Sequence, residues 1–321
     1  MPSLKKILVP VELHENTAPV IQWANFLAQT LDSQLIFLHV NESLEPFKHS
    51  LLFDEDMGVT PTAQVKDLRA AYTQAAQQEL TQLSGQCGGG LSVDTALEEG
   101  RASATILDYS RTHGCDCILM GTHGKPWYQR FLMGSTAETV LREAKLPVMI
   151  VPNATPAEHT PQLTKLLLPT DFSPESTVGI EWGVYLAQYG VQEISLCHVI
   201  ESPFMEMYKS DETEFDMEQI ATESRDHPPR IAQPFWEHAE QVSLGKLAAL
   251  RQRFDGLPTH IELLTRDGLP AENLLAVAAE KDIDLLVIAT HGRTGIRHVV
   301  LGSVAEKVIR SVGCPVLVVR S

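Results

Sequence analysis

The sequence contains no run of 18 uninterrupted apolar residues, so it predicts no membrane-spanning helix. Its amino terminus, MPSLKKILVPVELHEN, has only a short apolar stretch that breaks at Pro10, which is unlike a secretory signal peptide. The five cysteines fall at irregular positions and predict neither a disulfide framework nor a zinc site. These absences together lead us to expect a soluble protein of the cytoplasm.

Basic residues are fewer than acidic ones. The sequence has 25 Lys and Arg and 41 Asp and Glu, which gives a formal net charge of −16. This charge disfavours general binding to nucleic acid or to an anionic membrane, and neither is expected as a partner. An anionic ligand would have to be held by local donors, by a bound cation, or by both.

The patterns of several common catalytic sites are missing. The sequence has no Walker A, G-x-G-x-x-G or G-x-S-x-G pattern, and no nucleophile can be paired with a general base. Histidines recur in pairs, His39 with His198 and His123 with His291, but no cysteine or carboxylate recurs with them at metal-ligand spacing. We expect the first pair to pack at strand ends and the second to donate from loops. No catalytic residue and no protein metal site is predicted.

What the sequence does contain is two copies of one pattern. Residues 6–42 align with residues 165–201 at a constant offset of 159, and residues 98–151 align with residues 266–319 at a constant offset of 168. For example, GSTAETVLREAKLPVMIV in the first copy matches GSVAEKVIRSVGCPVLVV in the second. Two long ungapped registers in the same order indicate a duplication.

Each copy alternates short apolar runs with segments of helical periodicity, which predicts an α/β fold with a mostly parallel sheet covered on both faces. The predicted strands are residues 4–11, 35–40, 91–97, 117–120 and 147–151, then 166–170, 194–199, 261–264, 285–289 and 315–319. We expect domains at 1–152 and 163–321, joined by a polar, proline-marked linker at 153–162. The acidic segment 206–229 is either a flap over the second copy or a solvated insertion.

One spacing recurs at the end of the fourth predicted strand of each copy. GTHG at 121–124 is followed after nine residues by GS at 134–135, and ATHG at 289–292 is followed after nine residues by GS at 302–303. Glycines at the carboxyl end of a parallel strand let main-chain N–H groups approach an anion, and a helix that begins at the last glycine favours phosphate. This spacing predicts an anion cradle built from the main chain.

A capping box is the alternative explanation for the same glycine–serine corners. Ser135 with Glu138, and Ser303 with Glu306, have the spacing with which a serine and a glutamate satisfy a helix terminus by themselves.

A carboxylate ends the first predicted strand of each copy. It is Glu12 in Pro10-Val11-Glu12 and Asp171 in Pro169-Thr170-Asp171. If the strand order reverses between the first and fourth strands, these carboxylates lie beside the glycine loops and can accept hydrogen bonds from ribose hydroxyls. They could equally cap the helices that follow.

The first-strand signature, the G-x2-G-x9-G-S loop and the closing CPVLVV-type strand together resemble the universal stress protein family in its ATP-binding branch. The resemblance covers nearly the whole chain, apart from the linker and the central insertions. It implies two tandem Rossmann-like domains of the adenine nucleotide alpha hydrolase-like fold, each with a five-stranded parallel sheet. It also implies ATP or another adenine nucleotide as the ligand, with Mg²⁺, and a role in the stress response.

The resemblance assigns binding residues position by position. In the first copy adenosine would contact Pro10, Val11, Glu12 and Val40, and phosphates would contact Met120, Gly121, His123, Gly124, Gly134, Ser135 and Thr136. In the second copy the two sets are Pro169, Thr170, Asp171 and Val199, then Ala289, His291, Gly292, Gly302, Ser303 and Val304. Each copy departs from the family pattern, because Glu12 replaces the usual aspartate, residues 125–130 are bulky, and Ala289 replaces a glycine.

Two classes of function stay open at this point. The first is a nucleotide-dependent regulatory module with at most slow ATP hydrolysis, and the second is a nucleotide-free scaffold for unidentified protein partners. The family also pairs its last strands antiparallel across a dimer axis. We therefore expect residues 148–151 and 316–319 to pair within one chain as a pseudo-dimer, and a homodimer of whole chains is a further possibility.

Overall fold

The structure is a computed structural model that describes residues 2–13, 17–42, 63–122, 134–152, 160–201, 233–290 and 301–320. Most of the linker, the acidic segment 206–229 and the middle of each glycine loop lie outside the described residues. Four of the predicted site residues also lie outside the described residues: His123, Gly124, His291 and Gly292.

Among the described residues ten strands form one continuous sheet. They are β1 (Lys6–Pro10), β2 (Gln34–Asn41), β3 (Val93–Glu99), β4 (Cys117–Gly121), β5 (Val148–Val151), β6 (Lys165–Pro169), β7 (Glu193–Ile200), β8 (His260–Asp267), β9 (Leu285–Ala289) and β10 (Val316–Val319). Their order across the sheet is β3-β2-β1-β4-β5-β10-β9-β6-β7-β8.

Helices connect the strands of each half. They are α1 (Ala18–Leu31), α2 (Ala63–Gly85), α3 (Ala102–Thr112), α4 (Ser135–Glu143), α5 (Pro174–Leu186), α6 (Gln233–Arg251), α7 (Pro270–Glu280) and α8 (Ser303–Ser311). Within the described ranges, none of them combines the length and the apolarity that crossing a bilayer requires.

Strand pairing within each copy is parallel throughout, as the alternation of strands and helices predicted. Successive residues of β1 point to opposite faces of the sheet. Ile7 and Val9 join a core that α1 and α5 cover, and Leu8 joins a second core that α4 and α8 cover. All three side chains are fully buried. The predicted α/β fold with helices on both faces is therefore confirmed, with five parallel strands of each copy joined in one sheet.

The two halves meet through their last strands. β5 and β10 run antiparallel, with Ile150 opposite Val316 and Met149 opposite Leu317. The predicted pairing of these strands within one chain is confirmed, and each core contains residues of both copies. Because the pair is antiparallel, the carboxyl ends of the first five strands lie at one edge of the sheet and those of the second five lie at the opposite edge.

The duplication also shows in local backbone geometry. Gly100 and Gly268, which align with each other, both have positive φ angles, of 144° and 109°. Each donates its N–H to the last residue of a neighbouring strand, Gly100 to Asn41 and Gly268 to Ile200. Positive φ costs glycine little, so the same residue type closes the same turn in both copies.

Candidate functional site

The sheet of each copy reverses its strand order beside the first strand. β1 lies between β2 and β4, and β6 lies between β7 and β9. The register pairs Leu8 with Ile118, and its continuation places Pro10 beside Met120. Open α/β sheets bind ligands in the crevice at such a switch point, outside the carboxyl ends of the strands. The predicted reversal of strand order is therefore present, and it is the arrangement that brings the strand-end carboxylates next to the glycine loops.

The base of each glycine loop is closed by main-chain hydrogen bonds. Gly134 N donates to Thr122 O at 2.9 Å, and Gly302 N donates to Thr290 O at 2.9 Å. A Cβ added to Gly302 would lie 3.0 Å from Thr290 O, which is closer than side-chain carbons ordinarily approach a carbonyl oxygen. Glycine is thus required at this corner for the close approach of two chain segments.

The capping-box explanation of this corner is wrong. The residues that precede α4 and α8 are Gly134 and Gly302, in extended conformation, and neither provides a side-chain cap. Ser135 and Ser303 are instead the first helical residues, and both are exposed.

The glutamates of the supposed capping boxes turn along their own helices. Glu138 pairs with Arg142 at 3.0 Å, and Glu306 pairs with Arg310 at 2.7 Å. Each helix begins at the serine itself, one residue earlier than a capping box requires, so the first N–H groups of α4 and α8 lack a side-chain cap among the described residues. Such N–H groups and the helix dipole favour an anion.

In the second copy, the carboxylate that follows β6 is held in a turn. Asp171 Oδ1 accepts hydrogen bonds from Ser173 N at 3.0 Å and from Ser173 Oγ at 2.6 Å. Ser173 is itself the N-cap of α5, and its Oγ accepts from Ser176 N at 3.1 Å. The alternative in which Asp171 itself caps the helix is thus not what the structure shows, because Ser173 is the cap and Asp171 holds Ser173 in place.

Thr170 and Phe172 complete this turn. Thr170 Oγ1 accepts from Phe172 N at 3.0 Å and lies 3.0 Å from Ser176 Oγ. Phe172 has a φ of 64°, an uncommon value for a bulky residue, so the surrounding contacts must hold it there. Its ring packs on the ring of His198, with centroids 4.3 Å apart, and Lys246 Nζ lies 5.0 Å from the same centroid.

The paired strand histidines connect neighbouring strand ends. His39 Nδ1 lies 3.0 Å from Val11 O, and His198 Nδ1 lies 2.7 Å from Thr170 O. A carbonyl oxygen only accepts, so Nδ1 carries the proton in both rings. Both histidines are buried. Their predicted role as strand-end packing was therefore too limited, because each ring also fixes the main chain just before the strand-end carboxylate.

The described members of the predicted site gather at the carboxyl edge of their own copy. In the first copy these are Pro10, Val11, Glu12, Val40, Met120, Gly121, Gly134, Ser135 and Thr136, and in the second they are Pro169, Thr170, Asp171, Val199, Ala289, Gly302, Ser303 and Val304. Val11 and Met120 are 5% and 6% exposed, and their side chains pack into the two cores. Only the main chains of these two residues are placed to contribute to this edge.

Sequence reasoning missed Phe172, Ser173 and Ser176. One signal was available, since Ser173 is followed by Pro174, and a serine before a proline is typical of an N-cap followed by the first helical residue. The positive φ of Phe172 left no comparable sign in the sequence.

Comparison with known proteins agrees with this architecture. The model of the Universal stress protein family matches residues 3–152 and 163–320. A universal stress protein of Mycolicibacterium smegmatis is 27% identical over 319 residues, which cover 98% of this chain and 96% of that protein. A universal stress protein of Methanocaldococcus jannaschii is 31% identical over 157 residues, which cover 49% of this chain and 81% of that protein.

Among solved structures, a universal stress protein from Archaeoglobus fulgidus has the same fold. Its TM-score is 0.59 at 16% identity, and the match covers 99% of this chain and 97% of that one. The duplicated α/β sheet, the glycine corners and the two family matches lead to one conclusion: the chain belongs to the universal stress protein family, with two copies of the family domain in tandem.

Proposed function

We propose that this protein is a regulatory module of the stress response that binds an adenine nucleotide, ATP with Mg²⁺, at the carboxyl edge of its copies. The observation that carries the proposal is that a helix terminus and a carboxylate-bearing turn lie together at each switch point. A helix terminus without a side-chain cap, at Gly134 or Gly302, lies at the same sheet edge as a turn that bears a carboxylate, at Glu12 or Asp171.

The phosphate groups would be held at the helix termini. Main-chain N–H groups at the start of α4 and α8 point along the helix axis and carry the positive end of its dipole. Such a site needs no lysine or arginine, so it suits a chain with a formal net charge of −16. The anion-binding residues would be Ser135, Thr136, Ser303 and Val304, through their main chains.

The nucleoside would be held at the ends of the first two strands. A carboxylate offers about four acceptor positions, so Asp171 retains acceptor capacity for ribose hydroxyls while it accepts from Ser173. Val40 and Val199 are half-buried at the ends of β2 and β7, where an adenine ring would meet an apolar surface. Glu12 would take the ribose position in the first copy.

The donor set is compatible with Mg²⁺ that arrives bound to the nucleotide. Within the described residues, no group of three or more His, Cys, Asp and Glu side chains is placed to hold a metal ion. Magnesium in nucleotide sites is bound largely by phosphate oxygens and water, with few protein ligands, so such a group is not needed. When bound, Mg²⁺ would neutralise phosphate charge.

The same residues favour binding and regulation over rapid catalysis. The described edge residues offer main-chain donors, hydroxyls and one carboxylate in each copy, and we find no nucleophile with a general base among them. We propose at most slow ATP hydrolysis. Domain limits of 1–152 and 163–321 and a cytoplasmic location complete the proposal.

A thermal-shift titration of the full chain tests it. A ligand at 100 times its Kd stabilises a protein by about 2.7 kcal/mol, so Mg²⁺ with ATP should raise the unfolding temperature in a saturable manner. Mg²⁺ alone and Mg²⁺ with inorganic triphosphate are the controls for non-specific ionic effects. An unfolding temperature that ATP does not raise above both controls contradicts the proposal.

A further inference from the structure

We infer that the two sites are unequal and that the second copy holds the tighter nucleotide site, because its carboxylate turn is fixed before any ligand arrives. The inference rests on the proposed nucleotide binding and adds which copy binds first and which residues position the ligand. Binding to a site that is already ordered avoids the entropic cost of ordering it.

The second copy fixes Asp171 from three directions. Ser173 donates twice to Oδ1, through its main chain and its hydroxyl. Thr170, the residue before Asp171, is held at its carbonyl by His198 and at its hydroxyl by Phe172 N. Phe172, the residue after Asp171, is packed on the His198 ring. Contacts of the residues on both sides of the carboxylate thus stabilise the turn, including the uncommon φ of 64° at Phe172.

The first copy has the matching histidine contact, from His39 to Val11 O, but it lacks two other groups of this network. The alignment places Val11 at the position of Thr170 and Leu13 at the position of Phe172, so the hydroxyl and the aromatic ring are both absent. Glu12 also has one more rotatable bond than Asp171, and its side chain is more exposed. The longer side chain of Glu12 thus has one more torsion to restrict on binding than that of Asp171.

The following helix begins at different places in the two copies. The N-cap of α5 is Ser173, two residues after Asp171, and its side chain makes the capping hydrogen bond. The N-cap of α1 is Thr17, five residues after Glu12, and its side chain makes no capping hydrogen bond within the described residues. The positive end of a helix dipole therefore lies closer to the carboxylate turn in the second copy.

Charge next to the nucleoside position favours the same copy. Val199 is paired in register with Arg266 of β8, whereas Val40 is paired with Glu98 of β3. Paired residues of neighbouring strands lie on one face of the sheet. Arg266, near the predicted adenosine contact of the second copy, is paired with Glu280 at 3.1 Å, so its charge there is largely balanced. Glu98 stands at the matching position of the first copy, where it repels an anionic ligand.

Calorimetric titration of the full chain with Mg²⁺ and ATP tests the inequality. The matched variants are Asp171→Asn and Glu12→Gln, each of which replaces a carboxylate with an amide of the same shape. We expect Asp171→Asn to weaken the tighter binding phase by about tenfold or more, and Glu12→Gln to weaken the other, weaker phase instead. Circular dichroism verifies that each variant is folded.

Ser173→Ala tests the positioning role while retaining Asp171. If Ser173 holds the carboxylate against ribose, the variant should lose part of the preference for ATP over 2′,3′-dideoxy-ATP in the tighter phase. A purely structural defect would weaken both ligands equally, and this result would overturn the positioning role.

The other outcomes distinguish the inequality of the two sites from nucleotide binding itself. If Glu12→Gln removes the tighter phase, or if both amide variants weaken binding equally, the inequality is overturned while nucleotide binding stands. If the unchanged protein gives no saturable heat with ATP, both the inequality and the proposed function are overturned.

Discussion

Arg320 of the second copy donates a hydrogen bond of 3.0 Å from Nη1 to the main-chain oxygen of Arg142 in the first copy. Its Nη2 donates to the oxygen of Leu141. Arg320 follows β10, and the two acceptors belong to the last turn of α4, so a cation of one copy caps a helix of the other. The alignment places Pro152 at the matching position of the first copy, where no donor is available. The interface between the copies is therefore asymmetric.

Replacing Arg320 with methionine should lower the free energy of unfolding by about 1–3 kcal/mol, because the part-buried carbonyl of Leu141 and the exposed carbonyl of Arg142 both lose a charged donor. Urea unfolding measures this loss. Arg142→Met is the matched control, since its half-exposed side chain pairs with Glu138 along the helix surface and should cost only about 0.5 kcal/mol. Equal losses in the two variants would show that the Arg320 contact between the copies contributes no more to stability than the surface ion pair of Arg142.

Met149 and Leu317 form a cross-strand pair between the copies, and they are 2% and 1% exposed. Truncation of either to alanine should cost about 2–5 kcal/mol. In a double-mutant cycle we expect a coupling of about 0.5–3 kcal/mol, because both side chains share one core across the β5–β10 junction. Strictly additive losses would indicate that the copies do not pack together there in solution.

Placing a carboxylate at the start of α8 separates helix stability from ligand binding. Ser303→Asp should stabilise the helix by about 0.3–1 kcal/mol through the dipole, yet it should weaken binding of Mg²⁺ with ATP, because it puts negative charge where the phosphates would lie. Ser303→Asn, which is neutral and of similar size, is the control. Ser135→Asp makes the same change in the first copy.

The expected pattern in these variants is a gain in unfolding free energy without ligand and a loss of ligand-induced stabilisation. If Ser303→Asp and Ser135→Asp both bind the nucleotide as tightly as the unchanged protein, the helix termini are not phosphate sites.

The sequence could predict the buried strands well. Residues 117–120 and 315–319, continuous apolar runs, correspond closely to β4 (Cys117–Gly121) and β10 (Val316–Val319). Edge strands were placed less well, since residues 91–97 were predicted for β3, which spans Val93–Glu99. An edge strand has solvent on one side, so it can include polar residues such as Glu98 and Glu99 without burying them in a core. A search for apolar runs therefore does not detect the end of the strand.

The candidate site was predictable in outline but not in detail. Spacing placed the glycine corners and carboxylates at one edge, because parallel strands share that edge. The capping box failed for a reason outside its own four residues, since Gly134 and Gly302 bond to Thr122 and Thr290 and thereby set where each helix begins. The turn around Asp171 depends on His198, which comes from another strand.

Alkaline pH should destabilise the protein through its buried thiols. Burial is the largest cause that raises the pKa of Cys117, Cys197 and Cys314 from 9.0 to about 12 in each case. The folded state keeps these protons while the unfolded state loses them above pH 9, so stability is full below that pH and falls toward pH 12. The loss should be about 1.4 kcal/mol per thiol at pH 10.

Urea unfolding of the unchanged protein and of Cys197→Ala, at pH 8 and at pH 10, measures this linkage. The variant should be less stable at pH 8 because it loses packing, but its further loss between the two pH values should be smaller by about 1.4 kcal/mol. Identical losses between pH 8 and pH 10 would show that Cys197 does not keep its proton in the folded state.

Equilibrium dialysis of the full chain against radiolabelled ATP with Mg²⁺ tests the central claim most directly. Nucleotide binding at the switch points predicts saturable retention of one to two molecules per chain, displaced by unlabelled ATP and reduced in Ser303→Asp. Retention that never saturates, or none above that of a protein without such sites, would contradict it.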